Sequence, residues 1–554
     1  MNTILTRLSS EQIQQYVAAG FWGSETLYQL VRGHTLRAPE SAALRDRFRV
    51  VRYRELLTAA DILAADLARH GVRPGQRVAV WLPSRIESAV ALLACARNGY
   101  VCCPSLHRDH TIGAVLELMR RIRCVAMIWQ SGYGADADRN DYAHVLHKVS
   151  TLRHLYRLEP ASEKSSLVPS GTTPTDDLAQ PERSDPNQVV YLAFTSGSTG
   201  SPKAVMHSDN TLLANARQMA KDWSLDSEAV IFSLSPLSHN LGFGAQVMAL
   251  AIGAELVVND LARGASLADR IVETRTSFLV GVPPHAVDLL SEMKSRDLNG
   301  LGRLKGFRIS GAAVPREVVA GLIERGVVPQ SGYGMTESCS HQYTLPDDPP
   351  ERIIETSGRT CPGYELRIFK ADDPETEAMP GEIGEIGGRG ASLMLGYFND
   401  QAATEDAFKS GWFMTGDLGT LDSNGYLRIT GRSKDIIVRG GHNIHPARIE
   451  QLASRHAAVR RAAAVPVKDD RLGEKVCLVV ACHEGNALTP ADLLAHLDAV
   501  GLSRYEMPEY YLVVEEIPLT PNGKVLKRDI VEQIRDGRLV PEPIRFETKV
   551  QSRN

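Results

Sequence analysis

The chain has 554 residues, is 43% hydrophobic and 23% charged, and carries a formal net charge of -4. That length exceeds one ordinary core, which stops growing near ~250–300 residues, and the near-neutral charge gives no drive toward nucleic acid or an anionic membrane. Eight cysteines, none in C-x-x-C and two of them adjacent at Cys102-Cys103, make neither a disulfide framework nor a zinc site.

A reducing, cytoplasmic compartment is therefore expected. Met1 to Ser10 has no cationic start followed by an apolar stretch, so no secretory signal is expected. No apolar run approaches the ~20 residues that span a bilayer.

Strand-like and helix-like segments alternate, the pattern of α/β layers. Arg77 to Leu82 reads as a strand ending at Pro83, and Ile86 to Asn98 as a buried helix stopped by Gly99. Val125 to Trp129 is a further strand. From Leu158 to Gln188 the chain is rich in Ser, Thr, Pro and Asp and reads as a surface loop. Val189 to Phe194 is a buried strand. Ala229 to Leu234, Ala254 to Val258 and Phe278 to Val282 are strands followed by turns, where ligand groups collect in such sheets. A smaller α/β section follows a boundary near residue 432. In it Val476 to Cys482 and Tyr510 to Val514 are strand-like, and Pro490 to Val500 is helix-like.

Six segments carry chemistry. Thr195-Ser196-Gly197-Ser198-Thr199-Gly200-Ser201-Pro202-Lys203 follows the Val189 to Phe194 strand. Its glycines turn backbone N–H groups into one concavity, its hydroxyls add donors, and Lys203 adds a cation, which together suit a polyphosphate. The common P-loop spacing is absent. Ser310-Gly311-Ala312-Ala313 offers a flat backbone for a ring, or simply a tight turn. Ser331-Gly332-Tyr333-Gly334-Met335-Thr336-Glu337 sets an aromatic between glycines, with a hydroxyl and a carboxylate beyond it. Tyr333 suits a base, Thr336 a phosphate and Glu337 Mg²⁺, against the plainer reading of a turn with a solvated Glu. Thr415-Gly416-Asp417-Leu418-Gly419 reads as a tight turn exposing one carboxylate, suited to ribose hydroxyls. Gly431-Arg432-Ser433-Lys434-Asp435 runs on into Arg439-Gly440-Gly441. Pro518-Leu519-Thr520-Pro521-Asn522-Gly523-Lys524 puts a lysine on a loop tip.

Taken together and in this order, these segments resemble the acyl-adenylate-forming enzymes: acyl-CoA synthetases, firefly-type luciferases and adenylation domains of peptide synthetases. The resemblance spans roughly residues 25 to 530. Tyr16 to Gly23 and Val205-Met206-His207 are similar to the branch of cyclohexanecarboxylate-CoA ligases, with aryl-acid-activating enzymes as neighbours. Ala204 departs from the Gly that many relatives have after Pro-Lys, outside the phosphate-facing part.

The resemblance implies an α/β fold: a large N-terminal domain of layered αβ subdomains over 1–431, and a small mobile C-terminal α+β lid over 432–554. It implies that Thr195, Ser196, Gly197, Ser198, Thr199, Gly200 and Lys203 bind the β/γ-phosphates. Gly311, Ala312 and Ala313, with Gly332, Tyr333, Gly334 and Met335, take the adenine. Thr336 touches the α-phosphate and Glu337 binds Mg²⁺. Asp417 and Arg432 hold the ribose. Lys434 is the hinge, Lys524 reaches the acyl carboxylate and α-phosphate, and Gly440-Gly441 shapes a channel for the pantetheine thiol. His239, with Gly242 and Phe243, lies at the acyl pocket.

The implied activity is AMP-forming ligation of a carboxylic acid to CoA, with ATP, Mg²⁺ and CoA required. Nothing cationic stands out in the segments expected to line the acyl pocket, so a monocarboxylic alicyclic, aromatic or medium-chain acid is expected. A stand-alone enzyme loading a carrier-protein phosphopantetheine, and a non-catalytic nucleotide-binding homologue, are the alternatives. Homodimers are common among relatives, and the sequence shows no interface signature.

Overall fold

The computed structural model describes residues 4–140, 142–173, 181–195, 202–311, 314–370, 373, 375–440, 442–520 and 524–545. The described residues form two compact units. One comprises Met1–Leu366 with Gly388–Phe413, the other Arg367–Gly387 with Met414–Asn554.

The first unit is built on two large sheets. A nine-stranded sheet runs in the order Arg359–Thr360, Cys339–Tyr343, Val328–Met335, Gly306–Ile309, Phe278–Gly281, Val230–Ser233, Glu255–Val258, Ala42–Arg45 and Val50–Arg52. From Ala42–Arg45 to Val328–Met335 neighbouring strands are parallel, and antiparallel strands close both edges. A six-stranded sheet runs His154–Leu158, Ala126–Gln130, Arg77–Trp81, Val101–Cys103, Val189–Thr195 and Lys203–Ser208. Parallel strands covered on both faces read as continuous apolar runs, which is why Val230–Ser233, Glu255–Val258 and Phe278–Gly281 are buried throughout.

The Glu87–Asn98 helix is buried on every side, as expected of an apolar helix held between layers. It stops at Gly99, which adopts a left-handed φ of 69° that favours glycine. The expected surface loop after Leu158 is tethered at several points: Arg49 bonds the Ser165 carbonyl, Arg69 the Thr173 carbonyl, and Arg183 holds its end. Arg183 is buried, bonds the Ala96 and Asp185 carbonyls, and pairs with Asp209.

A five-stranded sheet follows: Tyr364–Phe369, Gly384–Gly390, Trp412–Leu421 and Phe408–Lys409, with Leu427–Arg432 paired to Trp412–Leu421. The last sheet begins at Ile437 and centres on Gly473–Cys482, flanked by Val459–Asp469 and Tyr510–Val513. The Pro490–Ala499 helix packs against it through Leu493, Leu494 and Leu497. Among the described residues, no helix is long and apolar enough to cross a membrane.

Candidate active site

The Ser/Gly-rich segment connects two antiparallel strands, and its roots face each other: Thr195 and Lys203 are register partners. The second strand, Lys203–Ser208, is a partner that the sequence reading did not foresee. Ser196, Gly197, Ser198, Thr199 and Gly200 lie outside the described residues. The Lys203 ammonium sits 4.6 Å from the centroid of the Tyr397 ring, a cation–π contact. The Tyr397 hydroxyl donates to Glu337 Oε1 at 3.0 Å. Burial, then the Glu337 charge, raises the Tyr397 pKa, so the phenol stays protonated as a donor. Glu337 is itself 6% exposed, and its carbonyl accepts from Met394 N–H at 2.7 Å. Tyr397 therefore joins the two predicted residues, and nothing local in the sequence marks it.

The Thr336–Glu337 segment is held from behind. His207 Nε2–H donates to the Thr336 carbonyl at 2.7 Å, which fixes the tautomer, and Nδ1 faces the Thr211 hydroxyl at 3.0 Å. Burial drives the His207 pKa down to about 4, so the ring is neutral. Asn240 Nδ2 donates to the Met335 carbonyl at 3.3 Å. The stretch from Ser331 to Met335 is not a turn but the end of the Val328–Met335 strand, paired with Cys339–Tyr343. Tyr333 meets His341 edge to face at 5.6 Å.

Gly332 and Gly334 have packing reasons of their own. A Cβ at Gly334 would lie 2.1 Å from the Cys339 carbonyl oxygen, and one at Gly332 2.9 Å from both Arg308 Nη1 and the Gln342 carbonyl oxygen. Gly311 follows the Gly306–Ile309 strand with φ +101°, which L side chains rarely adopt. Ala312 and Ala313 lie outside the described residues.

His239 caps the Asn240–Ile252 helix, and its ring stacks on His107 at 3.8 Å with a 9° tilt. His110 lies 5.1 Å from His107. Burial, together with the neighbouring imidazoles, lowers His239 to about 4 and His107 to about 2. His239 is thus a neutral ring in a stack that the sequence did not reveal. Phe243 stacks on Tyr191 at 3.9 Å. Gly242 is glycine because a Cβ would lie 2.3 Å from the Pro236 carbonyl oxygen. Beside this helix a cavity is lined by Leu212, Met219, Phe243 and Met248, by the polar Asn240, and by the cation Arg308, which lies outside the segments expected to line the acyl pocket.

In the second unit, Asp417 is not on an exposed turn. It belongs to the Trp412–Leu421 strand, is 6% exposed, and is the register partner of Arg432. Arg432 Nε donates to Asp417 Oδ1 at 2.7 Å. Lys434 stands exposed in the single turn Ser433–Asp435. Lys524 is pinned at its backbone: its N–H donates to the Thr520 hydroxyl at 3.1 Å, and its carbonyl accepts from Thr520 N–H at 2.7 Å. Desolvation of the ammonium, then the Arg432 charge, lowers the Lys524 pKa, and Asp417 opposes that shift. The residue as a whole is nonetheless exposed, so this desolvation is partial. Lys524, Arg432 and Asp417 thus share one electrostatic neighbourhood. Gly440 turns the Ile437–Arg439 and His442–Ile444 hairpin with φ 57°, and Gly441 lies outside the described residues.

The chain is similar to known proteins over nearly its whole length. Residues 32–398 match the AMP-binding enzyme family, and residues 448–524 match the AMP-binding enzyme C-terminal domain. The chain is 30% identical over 543 residues to the medium-chain fatty-acid–CoA ligase of Escherichia coli (strain K12), covering 94% of this chain and 93% of that protein. It is 29% identical over 551 residues to a salicylyl-CoA synthase / salicylate adenylyltransferase from a Streptomyces species, covering 95% and 96%. Its fold is similar to the crystal structure of ATP-bound MatB from Rhodopseudomonas palustris, with a TM-score of 0.80, 25% identity, and 92% and 99% of the two chains covered. The chain belongs to the AMP-binding, acyl-adenylate-forming enzyme family, in the class of AMP-forming acid–CoA ligases.

Proposed function

We propose that the protein joins an alicyclic, aromatic or medium-chain carboxylic acid to ATP, releases pyrophosphate, and passes the acyl group from acyl-AMP to CoA. The kinship with cyclohexanecarboxylate-CoA ligases belongs to this proposal. The observation that carries it is the Lys203–Tyr397–Glu337 chain, which ties the root of the Gly-rich hairpin to a buried carboxylate.

A carboxylate is a poor electrophile because attack pushes charge onto an anion. In the first step one carboxylate oxygen attacks the α-phosphorus and the bond to pyrophosphate breaks, which leaves a mixed anhydride. Negative charge gathers at the α-phosphorus and the leaving group, so catalysis rests on preorganised donors and cations. Lys203 and the Gly-rich N–H groups receive the β/γ-phosphates. Thr336 bonds the α-phosphate, and Tyr333 lies along the adenine. Asp417 accepts from the ribose hydroxyls while Arg432 orients it. Lys524 neutralises charge on the α-phosphate and carboxylate. The hard oxygen donors of Glu337 and Thr336 fit Mg²⁺, which when bound offsets phosphate charge. No proton moves, so no general base is required.

In the second step the thiol sulfur attacks the acyl carbon, the acyl carbon–oxygen bond to the phosphate breaks, AMP leaves with that oxygen, and the thiol proton passes to the departing phosphate or solvent. The C-terminal lid turns about Lys434, withdrawing Lys524 and bringing Gly440-Gly441 to the pantetheine. The neutral His239 stack borders the acyl group. The test is acid-dependent pyrophosphate release by the full chain with ATP, Mg²⁺ and CoA, across benzoate, cyclohexanecarboxylate and octanoate. Acyl-CoA formation from any of these supports the reading. Transfer to a carrier protein but not to CoA would change the acceptor, and no pyrophosphate release with any acid would overturn the reading.

A further inference from the structure

Arg308 lies on the Gly306–Ile309 strand and is 2% exposed. Its Nη1 donates to Oε1 of Gln330, its register partner, at 2.5 Å. Nε and Nη2 are buried without a hydrogen-bond partner. Those two N–H groups share one edge of the guanidinium, the fork that grips both oxygens of a carboxylate.

Among the described residues, none supplies a counter-ion to Arg308. The groups that act on the Arg308 charge are Tyr343 and Cys361. Burial keeps both neutral, raising the Tyr343 phenol and pushing the Cys361 thiol up to about 12. Tyr343 donates its hydroxyl to Asp222 Oδ2 at 2.8 Å, and Gln218 Nε2 donates to Asp222 Oδ1 at 2.7 Å, so that carboxylate is already engaged. His341 is fully buried with both ring nitrogens unpartnered, and burial lowers it to about 3, so it adds no charge. A buried cation without a counter-ion is strongly unfavourable. Yet the fold keeps room for this one: a Cβ at Gly332 would lie 2.9 Å from Nη1 and 3.1 Å from Nη2. Arg308 is the one charged residue lining the cavity beside the Asn240–Ile252 helix, where Asn215, Asn240 and Ser340 are the other polar residues among the described lining.

We propose that the acid activated by this enzyme carries a second carboxylate remote from the reacting one, and that Arg308 binds it through Nε and Nη2. The substrate class is then a dicarboxylic acid with an apolar middle. This rests on the acyl-CoA synthetase reading and narrows it: the body is the expected ring or chain, and the far end is anionic.

Matched pairs test it: octanoate against octanedioate, and cyclohexanecarboxylate against trans-1,4-cyclohexanedicarboxylate, assayed by pyrophosphate release with the full chain. A site built to bond a polar group discriminates strongly against the analogue that lacks it, so the diacid of at least one pair should show at least ~10-fold higher kcat/KM. Arg308→Met should reverse that preference, mainly through KM for the diacid. Monoacids preferred in both pairs, or a diacid preference that survives in Arg308→Met, would overturn the assignment while leaving the synthetase reading intact. Thermal unfolding of the wild type with each acid keeps the test alive if the variant does not fold or if no acid releases pyrophosphate. A shift with a diacid and not with its monoacid supports the Arg308 site, and equal shifts or none overturn it. Pyrophosphate release by none of the four acids would count instead against the synthetase reading.

Discussion

Asp417 and Arg432 face each other across two antiparallel strands, with the arginine Nε 2.7 Å from the carboxylate, and Lys524 feels both charges. Burial and Arg432 depress the Lys524 pKa below the ordinary lysine value, and Asp417 holds it up. If adenylation uses the Lys524 ammonium, the rate is full below that depressed pKa and falls as pH rises through it. Asp417→Asn removes the supporting anion, so the alkaline limb of the adenylation rate should move to lower pH. Arg432→Gln should move it to higher pH. Saturating ATP separates this from weakened ribose binding. Limbs unchanged in both variants would dissociate Lys524 from the pair.

Tyr397→Phe keeps the ring under Lys203 and removes one hydrogen bond to the Glu337 carboxylate. A hydrogen bond to a charged group contributes about 1.5–3 kcal/mol, so adenylation should slow by roughly 10-fold or more. The effect should appear in kcat with ATP and Mg²⁺ saturating. A variant with wild-type kcat would make Tyr397 a packing residue only.

His207 is neutral and buried, with a folded-state pKa near 4 against 6.5 for a free histidine. The unfolded chain therefore takes up more protons as pH falls from about 6.5 toward about 4. Stability from this group is fully present above that window and is lost through it. His341, lowered to about 3, acts in the same direction. Urea midpoints of the wild type should drop over this range, and His207→Gln should show a shallower drop. Parallel slopes for the two proteins would contradict the neutral assignment.

Gly334→Ala would place a methyl group 2.1 Å from the Cys339 carbonyl oxygen, where the neighbour is backbone and cannot swing away. Overpacking of this kind costs about 1–3 kcal/mol. The thermal midpoint should fall in the absence of nucleotide, and an unchanged midpoint would show that this hairpin relaxes freely.

Local signals carried far in this sequence. The Arg77–Trp81 strand, the helix ending at Gly99, and the Pro490–Ala499 helix announce themselves through apolar runs and stop residues. The family segments likewise stand out because each packs several unusual residues into a few positions. What stayed hidden is made by distant pairing. Tyr397 meets a carboxylate 60 residues away, and His207 a carbonyl 129 residues away. Asp417 looked like an exposed turn residue because its strand is interrupted by glycines, and only the facing Arg432 reveals it as buried. Nothing in the sequence singled out Arg308. Its unpartnered edge exists only once Gln330, Gly332 and Tyr343 close around it.

Lys524→Ala separates the two half-reactions. On the proposed mechanism Lys524 serves only the first step, so its removal should slow acyl-AMP formation from acid and ATP by at least ~100-fold. Thioester formation from supplied acyl-AMP and CoA should stay within a few-fold of wild type. Single-turnover rates of the two half-reactions, measured on the same preparation, give the direct comparison. Equal losses in both steps, or an unimpaired first step, would contradict a lysine that serves the phosphate and then withdraws.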